Sequence, residues 1–131
     1  MKIFHKKNML KSLCARIINS SEPQKLYVSP CFLPNFFAGP YWVLNAGPSL
    51  DNYQWAIVGG GVPTIKSNNN TCQYKTSGFK NSGLWLFSRK RFLDISTIDK
   101  MKQYLNKIGI NTSHLLNVTQ KGCNYTNAFI K

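Results

Sequence analysis

The strongest constraint on the fold is a series of short apolar segments separated by turn-forming residues. Each segment combines aromatic and β-branched residues, as strands do, and the stretches between them contain Pro, Gly and Asn. Consecutive strands joined mostly by short turns predict an antiparallel meander. The clearest segments are 25–28, 41–45, 53–58 and 84–89, with weaker candidates at 13–18 and 117–120 and a long exposed loop over 62–82.

One amphipathic helix follows these strands. A capping-type Ser-x-x-Asp pattern at 96–99 begins it, and Gly109 is placed to end it, which predicts a helix near 96–108. We expect its apolar stripe to pack on the outer face of the sheet, against Leu84 and Leu86. The stripe consists of Ile98, Met101, Leu105 and Ile108.

Both faces of the strand at 84–89 are apolar. Alternation places Trp85, Phe87 and Arg89 on one face, and Leu84, Leu86 and Ser88 on the other. The helix covers one face, so the other must line an interior. An ordinary sandwich core is one solution, and a calyx-type barrel with an external helix is the solution we favour.

Residues suited to catalysis are scarce. The four acidic residues, Glu22, Asp51, Asp94 and Asp99, lie at predicted turns or at the helix start, where they serve as turn formers or caps. His5 and His114 lie far apart in polar settings, so no metal site is predicted. Gly59-Gly60-Gly61 lacks the spacing of a phosphate loop, and we interpret it as a flexible segment that leads from a strand into the following loop. We therefore expect no enzyme and no cofactor.

The charge is strongly positive. Seventeen Lys and Arg against four Asp and Glu give a formal net charge of +13. Such a balance favours nucleic acid or an anionic membrane as a partner, but the lysines are scattered and form no stripe. A basic module for nucleic acid or an anionic membrane surface is thus the alternative function. Of these two partners, we expect peripheral contact with an anionic membrane and do not expect nucleic acid.

Several segments in a fixed order resemble the second half of a lipocalin, in the branch of apolipoprotein D and the bacterial outer-membrane lipocalins. They are Gly39-Pro-Tyr-Trp-Val-Leu44, Asn52-Tyr-Gln-Trp-Ala-Ile-Val58, Gly83-Leu-Trp-Leu-Phe-Ser-Arg89, the helix, Asn111-Thr-Ser-His-Leu115 and Gln120-Lys-Gly-Cys123. Lys25-Leu-Tyr-Val28 resembles the strand that precedes them. The resemblance implies a partial lipocalin domain over 24–125, after a lead-in at 1–23 and before a tail at 126–131.

The resemblance implies a mainly β fold, an antiparallel meander from a lipocalin calyx with one C-terminal helix packed outside. The first strand of that family carries Gly-x-Trp, which is absent before residue 24, so we expect an incomplete barrel in a truncated or diverged copy. Arg89, which in the family lies under that tryptophan, then lacks its partner. Unpaired sheet edges would allow oligomers to form.

The function implied by the resemblance is binding or transport of a small hydrophobic ligand, such as a lipid, fatty acid, sterol or pigment, in an apolar calyx. Alternation within each strand predicts which side chains face that ligand. They are Trp85, Phe87, Leu26, Val28, Tyr41 and Val43.

The four cysteines are widely spaced, which fits two disulfides in an oxidising compartment, with four free thiols as the alternative. In a meander, the loops holding Cys31 and Cys72 share one end of the sheet, which predicts a Cys31–Cys72 bond. Cys14–Cys123 is then the second bond, and the resemblance supports it because lipocalins often tie their tail to an early strand. Residues 1–14 show no signal-peptide pattern, whereas a full-length relative would be secreted or lie in an organelle lumen.

Overall fold

A computed structural model describes residues 12–124 and residue 126. Its main element is a five-stranded antiparallel sheet, in which the strands are ordered as they occur along the chain. The strands are β1 (Leu13–Ile17), β2 (Lys25–Pro30), β3 (Gly39–Pro48), β4 (Tyr53–Gly59) and β7 (Leu84–Ser88). All four principal strands predicted from the sequence are present, and the weak candidate at 13–18 is confirmed as β1.

Short elements occupy the connections. A single turn of 3-10 helix, Asn35–Phe37, lies between β2 and β3. Between β4 and β7 a two-stranded hairpin forms from β5 (Ile65–Lys66) and β6 (Cys72–Gln73). The segment predicted as one exposed loop is therefore partly ordered and partly buried, since Tyr74 is only 8% exposed. No strand forms at 117–120, where the chain is irregular.

The helix α1 (Ile95–Lys107) packs on one face of the sheet, hereafter the helix face. Met101 and Leu105 are fully buried, and Leu84 and Leu86 pack against them as predicted. The prediction that Ile108 belongs to the buried stripe is wrong, because its side chain is 46% exposed. Gly109 turns the chain with a φ of 80°, which brings Ile110 into the core in its place.

The hydrogen bonds at the end of α1 form a Schellman motif. The Ile110 N–H donates to the Leu105 carbonyl, at 2.9 Å, and the Gly109 N–H donates to the Asn106 carbonyl, at 3.1 Å. This confirms the predicted helix end and explains the glycine, since a side chain there would be strained at positive φ. Ile110 then joins Ile57 and Tyr74 in the core.

The predicted disulfide pairings are wrong. Cys14 bonds to Cys31, with 4.9 Å between their Cα atoms, and Cys72 and Cys123 are free thiols. Since Cys14 on β1 pairs with Ser29 on β2, and Cys31 lies just beyond β2, register brings the two cysteines together diagonally. The prediction failed because it treated β1 as a lead-in, whereas β1 pairs along its full length with β2.

The sheet does not close into a barrel. In the part of the chain that the structure describes, β1 and β7 are edge strands and do not pair with each other. The described residues thus form a mainly β fold with one α-helix, as predicted. No helix within residues 12–124 is long and apolar enough to cross a membrane.

Candidate ligand-binding groove

The face of the sheet opposite α1, hereafter the open face, carries the side chains predicted to bind ligand. Register places Leu26 opposite Tyr41, Val43 opposite Val58, and Val58 opposite Trp85. Because cross-strand partners share a face, all six predicted residues lie on the open face. Trp85 and Phe87 are 42% and 45% exposed, whereas the other four are half-buried.

Only two of these six residues line the groove that the structure shows at one edge of the sheet. An open groove with a cavity volume of about 1210 Å³ runs along the free edge of β7 and reaches both of its faces. Trp85 and Phe87 contribute from the open face, and Leu84 and Leu86 contribute from the helix face. The groove therefore does not coincide with the calyx predicted from the sequence, because it lies at the edge of the sheet.

The far wall of this edge groove comes from the residues just before α1, from α1 itself and from the irregular segment after it. Hydrophobic side chains contributed there are Leu93, Ile98, Leu115, Leu116 and Val118. Sequence reasoning missed these residues as ligand contacts. The only signal was the apolar Leu-Leu-x-Val pattern at 115–118, which was assigned in part to a short strand.

Hydrogen bonds hold both ends of the segment 111–120, which lines the groove. At one end the Arg91 Nε–H donates to the Gln120 carbonyl oxygen at 2.9 Å, which holds the later segment beside β7. At the other end the Cys72 N–H donates to the Gly109 carbonyl and the Asn111 N–H donates to the Cys72 carbonyl, each at 2.8 Å. The segment 111–120 is thus tethered at its two ends and forms one wall.

Polar groups on the groove come from β7 and β6. The Gly60 N–H donates to the Gly83 carbonyl, and the Arg89 N–H donates to the Gln54 carbonyl, each at 2.9 Å. Since backbone groups alternate in direction along a strand, those of Leu84, Leu86 and Ser88 point away from β4, towards the groove. Gln73 Oε1 is also buried there without a hydrogen-bond partner among the described residues.

The charges on the groove have one sign. Five basic side chains line it, namely Lys75, Arg89, Lys90, Arg91 and Lys102, and within the described residues no acidic side chain does. Clefts lined by one sign of charge attract ligands of the opposite sign. The groove therefore combines an apolar surface with a positive potential.

Two tyrosines have raised pKa values, and one arginine lies over the ring of a third tyrosine. Burial raises the pKa of Tyr74 to about 12, and its hydroxyl donates to the Gly61 carbonyl at 2.9 Å. Burial also raises the pKa of Tyr41, and Tyr53 raises it further. Arg89 lies over the Tyr53 ring, 4.8 Å from its centroid, where the family resemblance implied a first-strand tryptophan.

The chain matches no protein-family model, no curated protein and no solved structure. The resemblance to lipocalins thus stays a prediction. In residues 12–124 and 126, no group of three or more His, Cys, Asp or Glu side chains is placed to hold a metal ion. His5 lies outside the described residues.

Proposed function

We propose that this chain binds a small amphipathic ligand, with an apolar body and an anionic group, in the edge groove. The observation that carries the proposal is the combination of hydrophobic side chains from both faces of β7 with charged side chains that, among the described residues, are all basic. Ligand pockets of roughly 300–1,000 Å³ hold drug-sized molecules, and this groove has comparable room. Fatty acids are the simplest compounds of this chemistry.

The first test concerns the apolar wall. We expect Trp85→Ala to weaken binding of the fluorescent fatty acid cis-parinaric acid by about five- to thirtyfold, because the variant removes a partly buried indole worth roughly 1–2 kcal/mol. Phe32→Ala is the matched control, since Phe32 is similarly exposed, at 47%, and lies outside the edge groove. Unchanged affinity in a folded Trp85→Ala protein would remove Trp85 from the site.

The second test concerns the anionic group. Lys102 on α1 lines the groove, whereas Lys100 on the same helix is exposed and does not. We expect Lys102→Gln to weaken oleate binding about two- to fivefold, the range for a partly exposed charge pair, and to leave oleyl alcohol unaffected. Lys100→Gln should change neither, as measured by competition with cis-parinaric acid. Equal losses for the acid and the alcohol would assign Lys102 a packing role only.

Salt dependence separates this proposal from a basic nucleic-acid module. A ligand held mainly by apolar contacts loses little affinity as salt rises, whereas a protein that contacts several phosphates loses orders of magnitude. We expect oleate binding to persist in high salt. Tight, strongly salt-dependent binding of single-stranded DNA, with no binding of fatty acid, would favour the other function.

A further inference from the structure

Exposed phenylalanines cluster at one end of the sheet, hereafter the phenylalanine end, where β2 and β4 end and β3 and β7 begin. The β2–β3 connection contributes three of them, and the connection before β7 contributes one. Their exposed fractions are 47% for Phe32, 81% for Phe36, 50% for Phe37 and 62% for Phe79. Single exposed apolar residues are ordinary on protein surfaces, but a cluster marks an interaction site.

The two connections lie side by side. A Cβ atom built on Gly39, the first residue of β3, would lie 3.4 Å from the Phe79 carbonyl oxygen. The Phe36 and Phe37 rings also contact each other edge to face, with centroids 5.4 Å apart. The Phe79 backbone therefore lies beside the connection that carries the other three phenylalanines.

The backbone that carries these rings is braced from within. The Cys14–Cys31 disulfide ties the start of the β2–β3 connection to β1. The Arg16 guanidinium donates to the carbonyl oxygens of Cys31, at 3.3 Å, and Leu33, at 3.1 Å. Ala38, at the other end of the connection, is buried. The rings are thus held outward on an ordered support, and their exposure is a feature of the fold.

The acidic residues are distributed unequally between the two ends of the sheet. The four acidic residues lie away from the phenylalanine end: Glu22 in the β1–β2 turn, Asp51 in the β3–β4 turn, and Asp94 and Asp99 at or near the start of α1. The excursion 60–83, which leaves and returns at the phenylalanine end, contains three lysines and no acidic residue.

We propose that the phenylalanine end docks on the surface of an anionic lipid bilayer. Aromatic rings are favoured at the interface between headgroups and acyl chains, and basic residues near the surface are attracted to anionic headgroups. The phenylalanine end presents exposed rings, with Lys80 directly after Phe79, and the four acidic residues, whose carboxylates anionic lipids would repel, lie away from it. This inference is independent of ligand binding in the edge groove.

Vesicle co-sedimentation of the full chain tests this proposal. We expect binding to phosphatidylcholine vesicles that contain phosphatidylserine, and much weaker binding to phosphatidylcholine alone. Phe36→Ser combined with Phe37→Ser should weaken binding at least about tenfold, because two rings no longer enter the interface. Phe92→Ser is the matched control: Phe92 is 69% exposed and follows β7 at the opposite end, and its loss should change binding less than about twofold.

The competing outcomes are distinct. Equal binding by the wild type and the Phe36/Phe37 variant would overturn the proposal, as would an equal loss in Phe92→Ser or no binding to phosphatidylserine vesicles. A concentration-dependent dimer that forms without lipid and disappears in the Phe36/Phe37 variant would instead assign the surface to a second copy of the chain. Trp85→Ala, which alters the edge groove, should leave vesicle binding unchanged.

Discussion

Leu105→Ala is expected to lower the free energy of unfolding by about 2–5 kcal/mol. Leu105 lies on α1 and is fully buried against the sheet, in a core cluster that includes Ile57, Met101 and Ile110. Truncation removes apolar contact and leaves a cavity that the sheet cannot fill. Since small domains are stable by only about 5–15 kcal/mol, this loss is a large share of the total. Urea-induced unfolding followed by circular dichroism measures it.

Two variants on the same helix control for helix propensity. Gln103→Ala changes an exposed side chain and should shift the free energy of unfolding by less than about 0.5 kcal/mol. Ile108→Ala should also cost far less than Leu105→Ala, because Ile108 is 46% exposed. Similar losses for Ile108→Ala and Leu105→Ala would mean that the helix packs by its simple apolar stripe, as the sequence alone predicts.

Gly60→Ala is expected to destabilise the fold by about 3 kcal/mol or more, at the upper end of the penalty for overpacking. A Cβ atom at Gly60 would lie 1.8 Å from the Ser82 carbonyl oxygen, so one backbone segment must move away from the other. The 2.9 Å hydrogen bond from the Gly60 N–H to the Gly83 carbonyl holds these two backbone segments close together. The added methyl group and this bond are therefore incompatible.

The matched control is Gly39→Ala at the same end of the sheet. Its new Cβ atom would meet the Phe79 carbonyl oxygen at 3.4 Å, an ordinary contact, so the expected loss is below about 1 kcal/mol. Thermal unfolding of both variants gives the comparison. Equal stability of the two proteins would show that residues 78–83 do not pack tightly on β4.

The Gly60 contact also corrects an interpretation of the sequence. Gly59-Gly60-Gly61 was expected to be a flexible exit from a strand, but all three residues are buried. A run of glycines has the same local pattern whether it is mobile or pressed against another segment. The difference depends on Ser82, more than twenty positions later in the sequence, and no local rule connects the two.

Periodicity alone was sufficient for the five strands of the main sheet and for the helix. Alternation in β7 correctly separated Trp85 and Phe87 from Leu84 and Leu86, because the side chains of a strand must point to opposite faces. The helix end at Gly109 was equally predictable, since a residue with positive φ in a Schellman motif favours glycine. These features depend on a few neighbouring residues.

Tertiary structure alone decided the disulfide, the groove and the clustering of the phenylalanines. Cys14 meets Cys31 because β1 pairs in one register with β2, and a different register would have separated them. Leu115 and Val118 line the groove because hydrogen bonds hold their segment at Asn111 and at Gln120. Phe36 and Phe79 share one end because their connections leave the sheet there. Each contact joins residues that are distant in sequence, so its geometry depends on the packing of the whole chain and not on local pattern.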